Sequence, residues 1–267
     1  MFHRPAGAIL AHARSTRVNK NNEYHQIFAQ RGARYLRALS AYPDARAEEF
    51  EAAIASARPL AGQRIIDVPA GGGMLQRFLP SDCAVVRLEC APGFSQGPNL
   101  RSHARANASS WPVTGGWADR VISVAGVHHL LDKRGFFQEA WRCLVPGGVL
   151  LLAEVAEGSA VADFLDGFVD AHNPEGHHGY YLNQLTVEQL QQTGFVVDSI
   201  NDCSYQWRFA DAEALVAFCS DQFGLQSLPT TKFVEELSGY LSLRMGRSSQ
   251  VNLPWMLRHI RAIKPVV

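Results

Sequence analysis

The stretch Arg64-Ile65-Ile66-Asp67-Val68, followed at once by Pro69-Ala70-Gly71-Gly72-Gly73, constrains this chain more than any other. A short run rich in β-branched residues, closed by turn formers, reads as a buried strand that enters a tight loop. Met74–Leu79 is expected to be the helix after that loop, and Ala84–Glu89 the second strand. A weak third strand is expected within Leu100–Ala106, and a fourth at Val121–Val124. Phe136, Ala140 and Leu144 recur at helical spacing, which predicts an amphipathic helix over Phe136–Leu144. Pro146-Gly147-Gly148 then turns the chain into an apolar fifth strand, Val149–Ala153. Strands alternating with helices in this way imply βαβ units and a parallel sheet covered on both faces.

The flanks extend that sheet. Residues 1 to about 60 carry apolar residues at helical spacing and read as two or three helices. Thr186 with Gln189 reads as a capping box, Leu185 and Leu190 as its staple, and Gly194 as the stop. Phe195–Ile200 reads as a sixth strand, residues 211–240 as two helices broken near Gly224 and Pro229, and Met256–Ala262 as a last strand. The expected fold is α/β: a doubly wound, mostly parallel seven-stranded sheet with helices on both faces, N-terminal helices, and a helical insertion before the last strand. The expected division is a helical cap over residues 1–58, a ligand-binding core over 59–204, a helical insertion over 205–252 that forms a substrate lid, and the final strand over 253–267.

Composition removes several function classes. Lys plus Arg number 25 and Asp plus Glu number 25, and no block of five basic residues occurs, so neither nucleic acid nor a membrane surface is an expected partner. The 267 residues, 47% of them hydrophobic, suffice for a sizeable core. Five cysteines without a C-x-x-C suggest neither a disulfide framework nor a zinc ribbon, and free thiols suit the cytoplasm. The apolar stretch from Pro5 to Leu10 is too short for a signal-peptide core. Oligomeric state is not readable.

In a doubly wound sheet, ligands sit at the carboxyl ends of the strands, where Asp67 and the glycine loop fall. Glycines there let backbone approach a ligand closely. Glu89 ends the second strand 22 residues after Asp67, where a carboxylate can accept from both hydroxyls of a ribose. The dinucleotide pattern G-x-G-x-x-G fails because Gln76 stands where its last glycine should, and no Gly-Lys-Ser/Thr follows for a phosphate-binding loop. An anionic Asp67 suits an ammonium or sulfonium group better than a pyrophosphate. The site reads as made for a nucleoside without phosphates.

Asp67–Gly73, Glu89, the stretch Ala118–Leu130 (ADRVISVAGVHHL) and the stretch Glu139–Leu150 (EAWRCLVPGGVL) together resemble the class I S-adenosylmethionine-dependent methyltransferases. The resemblance covers roughly residues 60–156 and implies S-adenosylmethionine as cofactor and S-adenosylhomocysteine as product. It places Asp67, Gly71 and Gly73 around the methionine part, Glu89 on the ribose, and Asn107-Ala108-Ser109 in the adenine loop. Ala125 and Gly126 would lie beside the sulfonium, and Tyr24 in the helical region that closes over the cofactor. Pro69 stands where the family has its first glycine and brings no N–H to the loop. Asn107 stands where an acid is usual.

Methyl transfer from a sulfonium is an in-line displacement, to which an enzyme contributes positioning, desolvation and, for a protonated nucleophile, a base. His128 and His129 follow the fourth strand and are the candidate bases; otherwise their rings only shape the pocket. In the loop Asp170–Tyr181, His172, His177, His178 and Tyr181 are candidate substrate contacts, and Gly176 and Gly179 permit movement. No metal-ligand spacing is met there, so no metal is expected. Among Tyr205, Trp207, Phe209, Phe218 and Phe223, either an apolar substrate pocket or plain core is the reading. The expected activity is methyl transfer to a small-molecule acceptor. The alternative is a protein of this fold that binds the cofactor for cyclisation, elimination or regulation.

Overall fold

The structure is a computed structural model that describes residues 24–94, 103–246 and 249–266. The apolar stretch near residues 5–10 and the first part of the expected third strand lie outside the described residues. Two helices, α1 (Tyr24–Ala41) and α2 (Ala47–Ala57), precede β1 (Arg64–Asp67), β2 (Ala84–Glu89), β3 (His103–Arg105) and β4 (Ala118–Val124). Then come α3 (Arg134–Cys143), β5 (Leu144–Glu154), α4 (Ala160–Phe164), a π-helical turn (Leu165–Val169) and α5 (Asp170–His172). The chain ends with α6 (Gln184–Thr193), β6 (Val196–Phe209), α7 (Ala212–Phe223), α8 (Thr230–Ser238), β7 (Arg244–Met245) and β8 (Val251–Ile263).

The strands run in the order β3-β2-β1-β4-β5-β8-β6, with the two-residue β7 paired to β8. β1 to β5 are mutually parallel, whereas β8 is antiparallel to both β5 and β6. The order reverses between β1 and β4, so the open end of the sheet there carries Asp67 and the residues after Val124. Burial on both faces explains the unbroken apolar strands. Alternate residues face opposite layers: Ile65, Ile122 and Leu151 join the core under α2 and α7, while Ile66, Val121 and Leu150 join the core under α3 and α6.

Several boundaries differ from the sequence expectation. The helix expected at Met74–Leu79 is a short 3-10 turn, Met74–Phe78, pinched between left-handed Gly73 and Pro80. Asn183, not Thr186, caps α6: its side chain accepts from the Thr186 N–H, and Thr186 is the third helical residue of that box. Gly194 does end that helix in the left-handed region, at φ 108. β5 begins at Leu144 rather than after Gly148, because Gly147 donates to the Lys264 carbonyl and keeps the turn residues in the sheet. β6 and β8 run well past the expected Phe195–Ile200 and Met256–Ala262, since each is the other's long antiparallel partner from Val196↔Ile263 to Phe209↔Val251.

Candidate active site

Asp67 and Glu89 close β1 and β2 side by side at the open end of the sheet. Glu89 is buried and accepts hydrogen bonds at both oxygens. Its Oε2 accepts from the Gly71 N–H at 2.7 Å and from the Tyr24 hydroxyl at 3.2 Å, and its Oε1 accepts from the Ala91 N–H at 2.8 Å. Burial nevertheless pushes its pKa up to about 7, the hydrogen bonds opposing it. Asp67 is buried beside it, and its Oδ2 has no partner among the described residues. Desolvation, then the neighbouring Glu89 charge, hold Asp67 well above the usual carboxylate range.

The loop between these strands is set by close approaches. Gly71 and Gly73 take left-handed φ values of 51 and 69, open to glycine without penalty. A Cβ on Gly126 would stand 2.3 Å from the Pro69 ring, so Pro69 packs on the backbone that follows β4. Across the site, α1 lies backbone to backbone on the short turn Pro92–Phe94: a Cβ on Gly93 would stand 1.9 Å from the Phe28 carbonyl. Tyr24 and Phe28 thereby cover Ala91 and Phe94. Beyond β3, Asn107 accepts from both the N–H and the hydroxyl of Ser109, and the Ala108 carbonyl accepts from Trp111 Nε1.

After β4, Ala125 sits at φ 50, a conformation that costs a non-glycine residue about 1–2 kcal/mol. Glu154, the last residue of β5, over-determines it. Its Oε1 accepts from the N–H groups of Gly126 and Val127, and its Oε2 holds His128 Nδ1 at 2.9 Å. The His128 and His129 rings lie 4.1 Å apart. Burial, then the surrounding histidines and cations, push His129 well below its ordinary value, and its Nδ1 has no partner among the described residues.

These rings face a cavity of about 50 Å³ bounded by Ala125, Tyr35, Arg46, Trp207 and Trp255. His177 joins them from the loop after α5. Its Nδ1 meets Asp166 Oδ1 at 3.1 Å, and burial lowers its pKa as well. Asp166 also accepts from the Gly179 N–H and from the Tyr181 hydroxyl, at 3.1 and 2.6 Å. The π-helical turn presents Asp166 to all three groups. Arg31, its Nε without a partner among the described residues, and Arg46, paired with buried Glu49, supply positive charge to the same walls.

The candidate substrate residues therefore divide. His177 reaches the cavity with His128 and His129; His178 and Tyr181 line a second, outer cavity of about 450 Å³. His172 turns instead to Glu236, 2.6 Å from its Nε2. Trp207 and Phe223 line the inner cavity, while Phe209 and Phe218 pack on each other in the core. Sequence reasoning missed Glu154 and Asp166. Glu154 carried a usable signal, as a carboxylate ending an apolar strand at the open edge of the sheet. Asp166 carried none, because only the π turn aims it.

Residues 66–152 match a family model described as a methyltransferase domain. A ubiquinone biosynthesis O-methyltransferase of Ruegeria pomeroyi is 25% identical over 197 residues, covering 64% of this chain and 77% of that protein. Phosphoethanolamine N-methyltransferase 2 of Haemonchus contortus, solved with S-adenosyl-L-methionine, aligns at TM-score 0.59 and 15% identity over 91% of this chain and 60% of its own. The [4+2]-cyclase SpnF aligns at TM-score 0.52 and 17% identity over 82% of this chain and 81% of its own. At these identities the two structures speak for the fold.

Proposed function

We propose that this chain, whose residues 66–152 match a methyltransferase domain, is a class I S-adenosylmethionine-dependent methyltransferase that methylates a hydroxyl oxygen of a small molecule. The observation that carries this is the cavity beside Ala125, walled by aromatic rings, two arginines and three buried histidines. An aromatic or otherwise apolar acceptor with an acidic hydroxyl matches those walls, and the O-methyltransferase name of the Ruegeria pomeroyi relative agrees with an oxygen acceptor.

The cofactor's chemistry fits the groups at the sheet end. The unpartnered Oδ2 of Asp67 suits a cationic amino group, which would supply the counter-charge that the buried carboxyl lacks. Glu89 suits the ribose hydroxyls. Gly71 and Gly73 let backbone approach, Pro69 packs the loop onto Gly126, and Asn107, Ala108 and Ser109 follow β3 at the same end of the sheet. Ala125 and Gly126 lie where the sulfonium would face the cavity, and Tyr24 closes the site from α1. S-adenosylmethionine supplies a sulfonium-bound methyl group that a lone pair displaces in line. The chain's own part is to hold the acceptor oxygen on that line and to take its proton, which we assign to the imidazoles of His128, held at Nδ1 by Glu154, and His129 beside it.

The aromatic cavity and the neutral charge balance favour a metabolite over nucleic acid. Among the described residues no helix is long and apolar enough to cross a membrane, and all five cysteines are free, which suits a reducing cytoplasm. The cavity has room for only a few waters, so we also assign α1 and the helices between β6 and β8 as a cover that shifts when an acceptor enters.

The deciding experiment supplies the protein with methyl-labelled S-adenosylmethionine and a panel of phenols, catechols and aliphatic alcohols. Label on oxygen in one of these classes supports the reading. Tight cofactor binding with no S-adenosylhomocysteine formed on any acceptor class overturns methyl transfer and favours a cofactor-binding protein of this fold with another task.

A further inference from the structure

Two of the three histidines at the inner cavity are held by carboxylates on the same ring atom. His128 Nδ1 meets Glu154 and His177 Nδ1 meets Asp166, so each ring leaves Nε2 for another ligand. The third, His129, has a buried Nδ1 with no partner among the described residues. One ring nitrogen from each of the three lies within 4.8 Å of the others, and all three side chains are buried. We propose that His128, His129 and His177 are the protein ligands of a divalent transition-metal ion, with its remaining position facing the inner cavity.

Three imidazoles with an open fourth position are a donor set for Zn²⁺ or Co²⁺, not for Mg²⁺ or Ca²⁺, which take oxygen ligands. At Zn–N distances of about 2.0–2.1 Å, tetrahedral ligands stand about 3.3 Å apart, so the three rings must draw inward to hold one ion. A carboxylate on the far nitrogen of a ligating histidine fixes its tautomer and raises its donor strength; Glu154 and Asp166 stand in that place for two of the three. The same carboxylates offset the cationic Arg31 and Lys133, whose charges face His129. The spacing was invisible in sequence because the rings come from two segments, the turn after β4 and the loop after α5.

The site deepens the proposed function and rests on it for one point only, that the open position would receive the acceptor oxygen. A metal takes the lone pairs that otherwise receive the proton, so in the metal-loaded chain the acceptor would bind through its oxygen as the oxyanion, its proton released to solvent on binding. Metal-free full-length protein titrated with Co²⁺ is expected to bind one ion per chain, to show the visible absorption of a four-coordinate site, and to release the ion to Zn²⁺. Asp166→Asn, which keeps all three rings, should weaken Co²⁺ binding by about 10–100-fold. His129→Ala and His177→Ala should weaken it further while the metal-free thermal midpoint shows that each variant is folded. Wild-type protein that binds S-adenosylmethionine but not Co²⁺ overturns the metal site and leaves the methyl-transfer reading standing. Co²⁺ binding that survives both histidine substitutions overturns it too.

Discussion

The Tyr24 hydroxyl donates to Oε2 of Glu89 at 3.2 Å, joining the first described turn of α1 to the end of β2 across 65 positions of sequence. The carboxylate assigned to the ribose is thus also the latch of the helix that covers the site. Glu89→Ala is expected to weaken S-adenosylmethionine binding by about 1–3 kcal/mol, the range for losing a buried hydrogen-bonding group. Tyr24→Phe should cost less, since Oε2 keeps the Gly71 N–H. Glu89 titrates at about 7 in the folded chain, and its anionic form is the better acceptor for the ribose hydroxyls. Affinity should therefore fall as pH drops below about 7. Calorimetry at pH 8 and pH 6 reads both effects, and a Glu89→Ala protein with wild-type affinity would remove Glu89 from the cofactor site.

The contact between α1 and the turn Pro92–Phe94 leaves no room for a methyl group at Gly93. Gly93→Ala should push α1 off the turn and leave the central sheet intact. Hydrogen exchange is expected to show faster exchange along α1, with β4 and β5 still protected. Unchanged protection in α1 would mean that the helix tolerates the methyl group and that the approach is not what fixes it.

Glu154 satisfies two buried N–H groups and one imidazole. Its removal in Glu154→Ala orphans all three, at about 1–3 kcal/mol each, so a loss of about 3 kcal/mol or more is expected in urea unfolding. Glu154→Gln keeps an acceptor for the two N–H groups and should cost much less stability. It removes the charge beside His128, so turnover should fall further than cofactor affinity does. Equal stability of the Ala and Gln variants would show that the N–H bonds matter little.

The sheet was readable because its central strands are buried on both faces and written in β-branched residues: Ile65 and Ile66 serve opposite layers, and so do Val121 and Ile122. The glycine loop with Asp67 and Glu89 was readable because strand ends fix where those side chains fall. Helix starts were less so. Asn183 and Thr186 are both good caps, and the choice between them depends on where the preceding chain leaves Ala156, which bridges Leu182. The meeting of His177 with His128 and His129 had no local signal at all. It depends on a π turn carrying Asp166 and on a loop whose position is set by tertiary contacts, including the Tyr180 N–H donated to the His128 carbonyl.

His259 gives the chain a built-in sensitivity to acid. It lies on β8 between Ala153 and Asn201, with Nδ1 2.7 Å from the Ser56 hydroxyl and Nε2 buried without a partner among the described residues. Burial lowers its pKa to about 4 from the usual 6.5. Between those values the unfolded chain binds a proton that the folded chain refuses, so stability falls as pH falls. The contribution is complete above 6.5, and about 2 kcal/mol of it should be lost between pH 7 and pH 5. His129 and His177 are lowered too and add to the wild-type slope, so the informative quantity is the difference from His259→Gln. Urea unfolding across that interval should show the variant losing about 2 kcal/mol less than wild type. Parallel stability curves for the two proteins would mean that His259 is charged in the fold or already finds a partner for Nε2.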